Sequence, residues 1–122
     1  MEEVEELCLS FSELNLEVTE FNNGYIVEGC LGGRPSENTM SMTCFKRQFD
    51  LMHPVFNINS NTSNIYWDEE NQQRELIVLY YNKTITIKSR GYFELYGFRD
   101  LNFISSLLND ILDIWEDIVR SE

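Results

Sequence analysis

The chain has 122 residues, with twenty-one carboxylate side chains against nine lysines and arginines, a formal charge of −12. That charge repels nucleic-acid duplexes and anionic membrane surfaces, and it draws in basic grooves over a Debye length of roughly 8 Å. An apolar fraction of 43% and an aromatic fraction of 13% exclude a disordered acidic tail, and the size is that of one domain, 1–122, with one core.

No stretch approaches the ~20 apolar residues of a membrane span, and the acidic opening Met1–Glu6 is the reverse of a basic leader. The expectation is a soluble, cytoplasmic protein. Alanine is absent, Asn, Ile, Tyr and Phe are abundant, and Lys46, Lys83 and Lys88 are the only lysines. An AT-rich coding sequence accounts for the first two features but would also enrich lysine, so the acidity reads as selected. The composition points to a viral or phage source and to the host cytoplasm as the setting.

In chain order, Val4, Leu7, Phe11 and Leu14 recur at three and four and predict a short helix, with glutamates beside the positive end of its dipole. From Leu14 the period becomes two, and Asn23-Gly24 supplies a type I′ turn before Tyr25–Glu28. Residues 29–38 read as loop. In 40–52, Phe45, Phe49 and Met52 have helical spacing while Thr43-Cys44-Phe45 fits a strand equally well. His53-Pro54 ends that stretch, since a residue before proline is pushed out of the helical region. Val55–Ile58 and Asn64–Trp67 predict short strands with a polar turn between them.

Arg74–Tyr81 is apolar almost throughout, as a central strand covered on both faces would be, and a tight Asn82-Lys83 connection leads to the alternating Thr84–Lys88. Arg90-Gly91 turns the chain into Tyr92–Tyr96. Asp100 then stands as the N-cap of a long helix on which Leu101, Ile104, Leu108, Ile111, Trp115 and Ile118 form one face. The elements add up to a single α+β domain. It is an antiparallel β-meander of about five to seven strands, with a short N-terminal helix and a long C-terminal helix packed on one face.

The polar face of the last helix carries Asp110, Asp113, Glu116 and Asp117 in its C-terminal half. Acids there oppose the helix dipole at about 0.3–1 kcal/mol each and set like charges three and four apart, so helix stability does not explain them. They rise ~4.5–6 Å per step, of the order of the ~3.4 Å phosphate spacing along a DNA strand. The competing reading is a solvated face that keeps a small protein in solution. Asp68, Glu69 and Glu70 form a second acidic cluster before the central strand, and Tyr66 and Trp67 beside them are side chains favoured as binding anchors. If the fold gathers these clusters and the N-terminal glutamates onto one side, they make one anionic surface.

For catalysis the chain offers one histidine, His53, and Cys44 near Asp50 without the turn a cysteine nucleophile uses. Gly29, Gly32 and Gly33 match neither a phosphate loop nor a dinucleotide fingerprint, and the calcium-loop spacing of acids is missing, so neither a cofactor nor a metal is expected. Cys8, Cys30 and Cys44 cannot all pair and read as buried free thiols. Two sequons, at Asn61 and Asn82, bear on a secreted protein only.

Arg74–Val119 runs strand, tight turn, strand, Ser89-Arg90-Gly91 turn, strand ending at Gly97, then long helix. In this it resembles the end of one repeat of the TATA-binding-protein clamp. A second repeat and the family's strand proline are missing, and the charge opposes a DNA saddle, so no functional residue carries over.

The expectation that follows is a non-enzymatic, acidic interaction protein. Through Asp68, Glu69, Glu70, Asp110, Asp113, Glu116, Asp117, Tyr66 and Trp67 it binds a basic surface of a nucleic-acid-handling protein, as DNA-mimic and anti-CRISPR inhibitors do, without binding duplex DNA itself. Two alternatives stay open. One is a transcription-associated or nucleic-acid-binding module that uses the aromatic sheet face; the other is a structural or oligomerisation protein, such as a homodimer through that face.

Overall fold

The computed structural model describes residues 2–32, 41–57 and 63–121. Most of the loop read at 29–38, Ile58, the polar turn after it and the Asn61 sequon lie outside these residues. Among the described residues, three helices cover one face of a six-stranded antiparallel sheet in the order β1-β2-β6-β5-β4-β3. The strands are β1 (Glu17–Phe21), β2 (Gly24–Cys30), β3 (Ser63–Asp68), β4 (Gln73–Tyr80), β5 (Lys83–Lys88) and β6 (Tyr92–Phe98). The α+β architecture with a short first and a long last helix is therefore as expected. The meander runs only from β3 to β6, after which β2 docks on β6 and brings β1 with it as a hairpin.

The first apolar stripe is divided. Helix α1 (Glu2–Ser10) buries Leu7, and a 3-10 turn over Ser12–Leu14 buries Leu14 before Asn15, at φ 51°, redirects the chain into β1. The β1–β2 loop is two residues long, but its left-handed positions are Asn22 and Asn23, one residue earlier than expected. Gly24 is instead the first residue of β2, where a Cβ would stand 3.2 Å from the Gly97 carbonyl oxygen. The β4–β5 loop likewise falls at Tyr81-Asn82, with Tyr81 at φ 56°.

The ambiguous 40–52 stretch is helix α2 (Met42–Met52), burying Met42, Phe45 and Phe49 at spacings of three and four. The strand expected at 55–58 is replaced by a 3-10 turn, Pro54–Asn57. Proline has no N–H to lose at a first helical position, and the turn drops Phe56 among Phe49, Tyr80, Phe98 and Phe103, with centroids 4.9–6.3 Å apart. Helix α3 (Leu101–Ser121) is ~31 Å long at 1.5 Å per residue and buries Ile104, Leu107, Leu108, Ile111, Ile114, Trp115 and Ile118. Asp100 caps it, its Oδ1 accepting the Asn102 N–H at 2.9 Å. No helix among the described residues is long and apolar enough to cross a membrane.

Helix-side packing is supplied by alternate residues of four neighbouring strands: Val27, Phe93 and Leu95, Ile85 and Ile87, and Leu76 and Val78, each at most 1% exposed. Gly29 belongs to this face, where a Cβ would stand 2.7 Å from the Phe93 ring and 2.9 Å from the Leu14 carbonyl oxygen, so the ring occupies the space a side chain would fill. A bulge interrupts the alternation in β6. Tyr25 pairs with Phe98 and Ile26 with Tyr96, leaving Gly97 unpaired at φ 89°. The extra residue turns Phe98 into the core instead of onto the face that Tyr96 shares. β4 departs from expectation as well: only its Leu76/Val78 face is covered, while Leu79 on the other side is 50% exposed.

Candidate functional site: the uncovered face of the sheet

No described helix lies on the second face of the sheet, and the strand register fixes what it displays. One cross-strand row reads Glu17, Glu28, Glu94, Thr86, Ile77, Asn64, from β1 through β2, β6, β5 and β4 to β3. Beside it runs a less polar row, Thr19, Ile26, Tyr96, Thr84, Leu79, and Phe21 packs on Tyr96 with centroids 6.0 Å apart. On the other side of the glutamate row lie Cys30 and Tyr92, then Lys88, Glu75 and Tyr66.

Glu28 and Glu94 stand directly opposite each other, an arrangement that costs stability when both are charged. The Tyr92 hydroxyl lies between them, 2.7 Å from Glu28 Oε1 and 3.4 Å from Glu94 Oε2. One hydroxyl donates one proton, so Glu28 receives the short bond and Glu94 keeps most of its acceptor capacity. Partial burial, then the bond to Glu28 and the charges of both carboxylates, push the phenol well above its ordinary range. It therefore stays a donor throughout physiological pH. Glu17 at the end of the row makes no ion pair among the described residues.

The row beyond Tyr92 is partly neutralised by one lysine. Lys88 Nζ is 2.9 Å from Asp68 Oδ2, 3.8 Å from Glu75 Oε2 and 5.6 Å from the centroid of the Tyr92 ring. Asp68 also accepts the Asn71 side-chain amide at 3.0 Å and the Asn71 backbone N–H at 3.2 Å, closing the β3–β4 turn. The Asn71 amide foremost, then Lys88, hold its carboxyl down to about 2.

The residues singled out from sequence are dispersed. Asp68 is engaged as described, while Glu69 and Glu70 are exposed in the turn that follows. Tyr66 lies on the uncovered face, whereas Trp67 alternates to the helix side and carries the Arg74 guanidinium 5.4 Å above its ring. Asp110 is no part of an open stripe: its Oδ2 is 2.8 Å from His53 Nε2 and ties α3 to the end of α2. Asp113, Glu116 and Asp117 are exposed, and Arg120 bonds the Glu116 backbone carbonyl instead of its carboxylate.

The N-terminal glutamates are elsewhere again. Glu3 and Glu6 line a cleft of about 690 Å³ with Arg99, Asp100 and Tyr25 at the start of α3. The C-terminal half of α3 lies at the other end, where the Trp115 Nε1–H donates to the Gly32 carbonyl at 2.7 Å. The three acidic clusters therefore do not merge. The row that does assemble, Glu17, Glu28 and Glu94 with Tyr92, was not singled out from sequence.

Groups with chemical potential are occupied in other ways. Asp50 bonds Lys46 at 2.8 Å and Ser63 at 3.3 Å, and Cys44 accepts from Gln48. Cys30 is exposed and Cys8 and Cys44 are half-buried, so the expectation of buried thiols is not met. No group of three potential metal ligands occurs among the described residues. No family model, characterised protein or solved structure matches the chain.

Proposed function

We propose that this chain is a non-enzymatic interaction protein that presents negative charge to a basic site on a nucleic-acid-handling partner and competes there with nucleic acid, as phage-encoded DNA mimics do in a host cell. The observation that carries this reading is the surplus of unneutralised carboxylate. Asp50, Asp68 and Glu75 have a lysine within 4 Å and Asp110 is bonded to His53, while Glu17, Glu28, Glu94, Asp113, Glu116 and Asp117 have no such partner among the described residues. Carboxylates without a counter-ion add no ion-pair stability to the fold but accelerate encounter with an oppositely charged surface, up to about a thousandfold at low salt. A nucleic-acid platform built on the sheet tyrosines is a weaker reading, since glutamates stand where such platforms place lysine and arginine.

The test is capture on the immobilised chain of host proteins that have first been retained on heparin. Basic partners released by raised salt and displaced by added duplex DNA support the proposal. Retention of neutral or acidic proteins, insensitive to salt and to DNA, would overturn it.

A further inference from the structure

We infer that the partner's contact is an arginine-bearing segment seated on the uncovered face of the sheet, with its guanidinium on the exposed side of the Glu28–Glu94 pair, over the Tyr92 hydroxyl that bridges them. This rests on the interaction reading above and adds the face and the partner's chemistry.

Three observations carry it. The first is shape: six strands spaced ~4.8 Å and five to eight residues long at ~3.3 Å each give a face roughly 24 Å by 20 Å. That is the greater part of the ~800 Å² one partner contributes to a standard interface. Side chains exposed there, Phe21, Tyr66 and Leu79 at 47–50%, leave apolar area to cover.

The second is charge. The face carries five carboxylates, Glu17, Glu28, Asp68, Glu75 and Glu94, against the single ammonium of Lys88, and that ammonium is consumed by Asp68 and Glu75. A second copy of this chain or a nucleic acid meets repulsion here; a cationic segment does not.

The third distinguishes arginine from lysine. Glu94, with acceptor capacity to spare, lies between Tyr92 and Tyr96 on β6, and Glu17 stands beyond Glu28 in the same row, so an entering cation meets aromatic rings and carboxylates together. Lys88 over the Tyr92 ring shows within the chain that this surface takes up a cation in that manner. A planar guanidinium stacks on a ring while its five N–H groups reach two carboxylates at once, which an ammonium does less well.

The experiment is a titration of the isotope-labelled chain with octa-arginine and, separately, octa-lysine, followed by NMR and calorimetry. Shifts centred on Ile26, Glu28, Thr86, Tyr92, Glu94 and Tyr96, with arginine binding at least about fivefold tighter, support the inference. So does a loss of about tenfold in the arginine affinity of Glu28→Gln/Glu94→Gln, whose fold is checked by circular dichroism. Equal affinity for the two peptides, or shifts centred instead on Asp113, Glu116 and Asp117, overturns the assignment while leaving the broader interaction reading to the heparin-fraction capture. Shifts of the same face caused by single-stranded oligonucleotide, or by raising the chain's own concentration, also overturn it.

Discussion

Gly97 is the residue on which the two-faced character of β6 turns, and Gly97→Ala tests that directly. Its φ of 89° is one that L side chains rarely adopt, at a cost of roughly 1–2 kcal/mol. The added Cβ would lie 3.0 Å from the Asn82 carbonyl oxygen, a backbone atom with little freedom to retreat, and such overpacking costs about 1–3 kcal/mol. Against this stands a gain of about 0.4–1 kcal/mol from the stiffer unfolded chain. The net loss is about 2–3 kcal/mol. For a domain of this length that lowers the melting temperature by roughly 8–12 °C, read by far-UV circular dichroism with urea denaturation at 25 °C alongside. Gly32→Ala is the matched control, because a Cβ there meets nothing within 4 Å. A Gly97→Ala variant melting within about 2 °C of both wild type and this control would refute the bulge as the device that separates Tyr96 from Phe98.

Tyr92→Phe removes the hydroxyl between Glu28 and Glu94 and is expected to cost about 1–2 kcal/mol. Adding Glu94→Gln should recover part of that loss in urea denaturation, and further destabilisation by the second change would contradict the repulsion. The Asp68 carboxyl is held from 3.8 down to about 2 in the folded state, so its contribution is complete above about pH 4 and disappears as pH falls toward 2. The stability difference between wild type and Asp68→Asn should therefore shrink across that window, and a difference independent of pH would count against it. Trp115→Phe loses the 2.7 Å bond to the Gly32 carbonyl and is expected to cost about 1–2 kcal/mol. Because Trp115 is 4% exposed and Trp67 is 52% exposed, the remaining fluorescence should move to longer wavelength, opposite to the shift in Trp67→Phe.

What could be read from sequence was local. The α3 stripe, the Asp100 cap, the β1–β2 hairpin and the alternation of β5 are set by neighbours a few residues apart, and each formed as expected except that the hairpin turn falls one residue early, at Asn22-Asn23. Features decided by distant partners were not legible. Phe56 sits in a 3-10 turn because Phe49, Tyr80 and Phe98 receive its ring, and Asp110 leaves the solvent stripe because α2 delivers His53 to it. A helical wheel does not show which flank a second helix takes.

The same holds for the site. Glu17, Glu28 and Glu94 each look like an ordinary solvated position on its own strand. Only the pairing of β2 with β6, distant in sequence, lines them up in one row, with Tyr92 bridging Glu28 and Glu94. One local signal existed: Tyr92, Glu94 and Tyr96 alternate on one face, and Gly97 marks the point at which the alternation breaks.

Two triple variants provide the most direct comparison: Glu17→Gln/Glu28→Gln/Glu94→Gln on the sheet and Asp113→Asn/Glu116→Gln/Asp117→Asn on α3, each removing three charges. Their affinities for a basic partner recovered from the heparin fraction are measured by biolayer interferometry over a range of salt. Three solvent-accessible pairs at roughly 0.5–1 kcal/mol each predict a loss of roughly ten- to a hundredfold for the sheet variant, with a flatter salt dependence, and a change under about threefold for the helix variant. A larger loss from the helix variant would place the contact on α3 and contradict the assignment to the uncovered sheet.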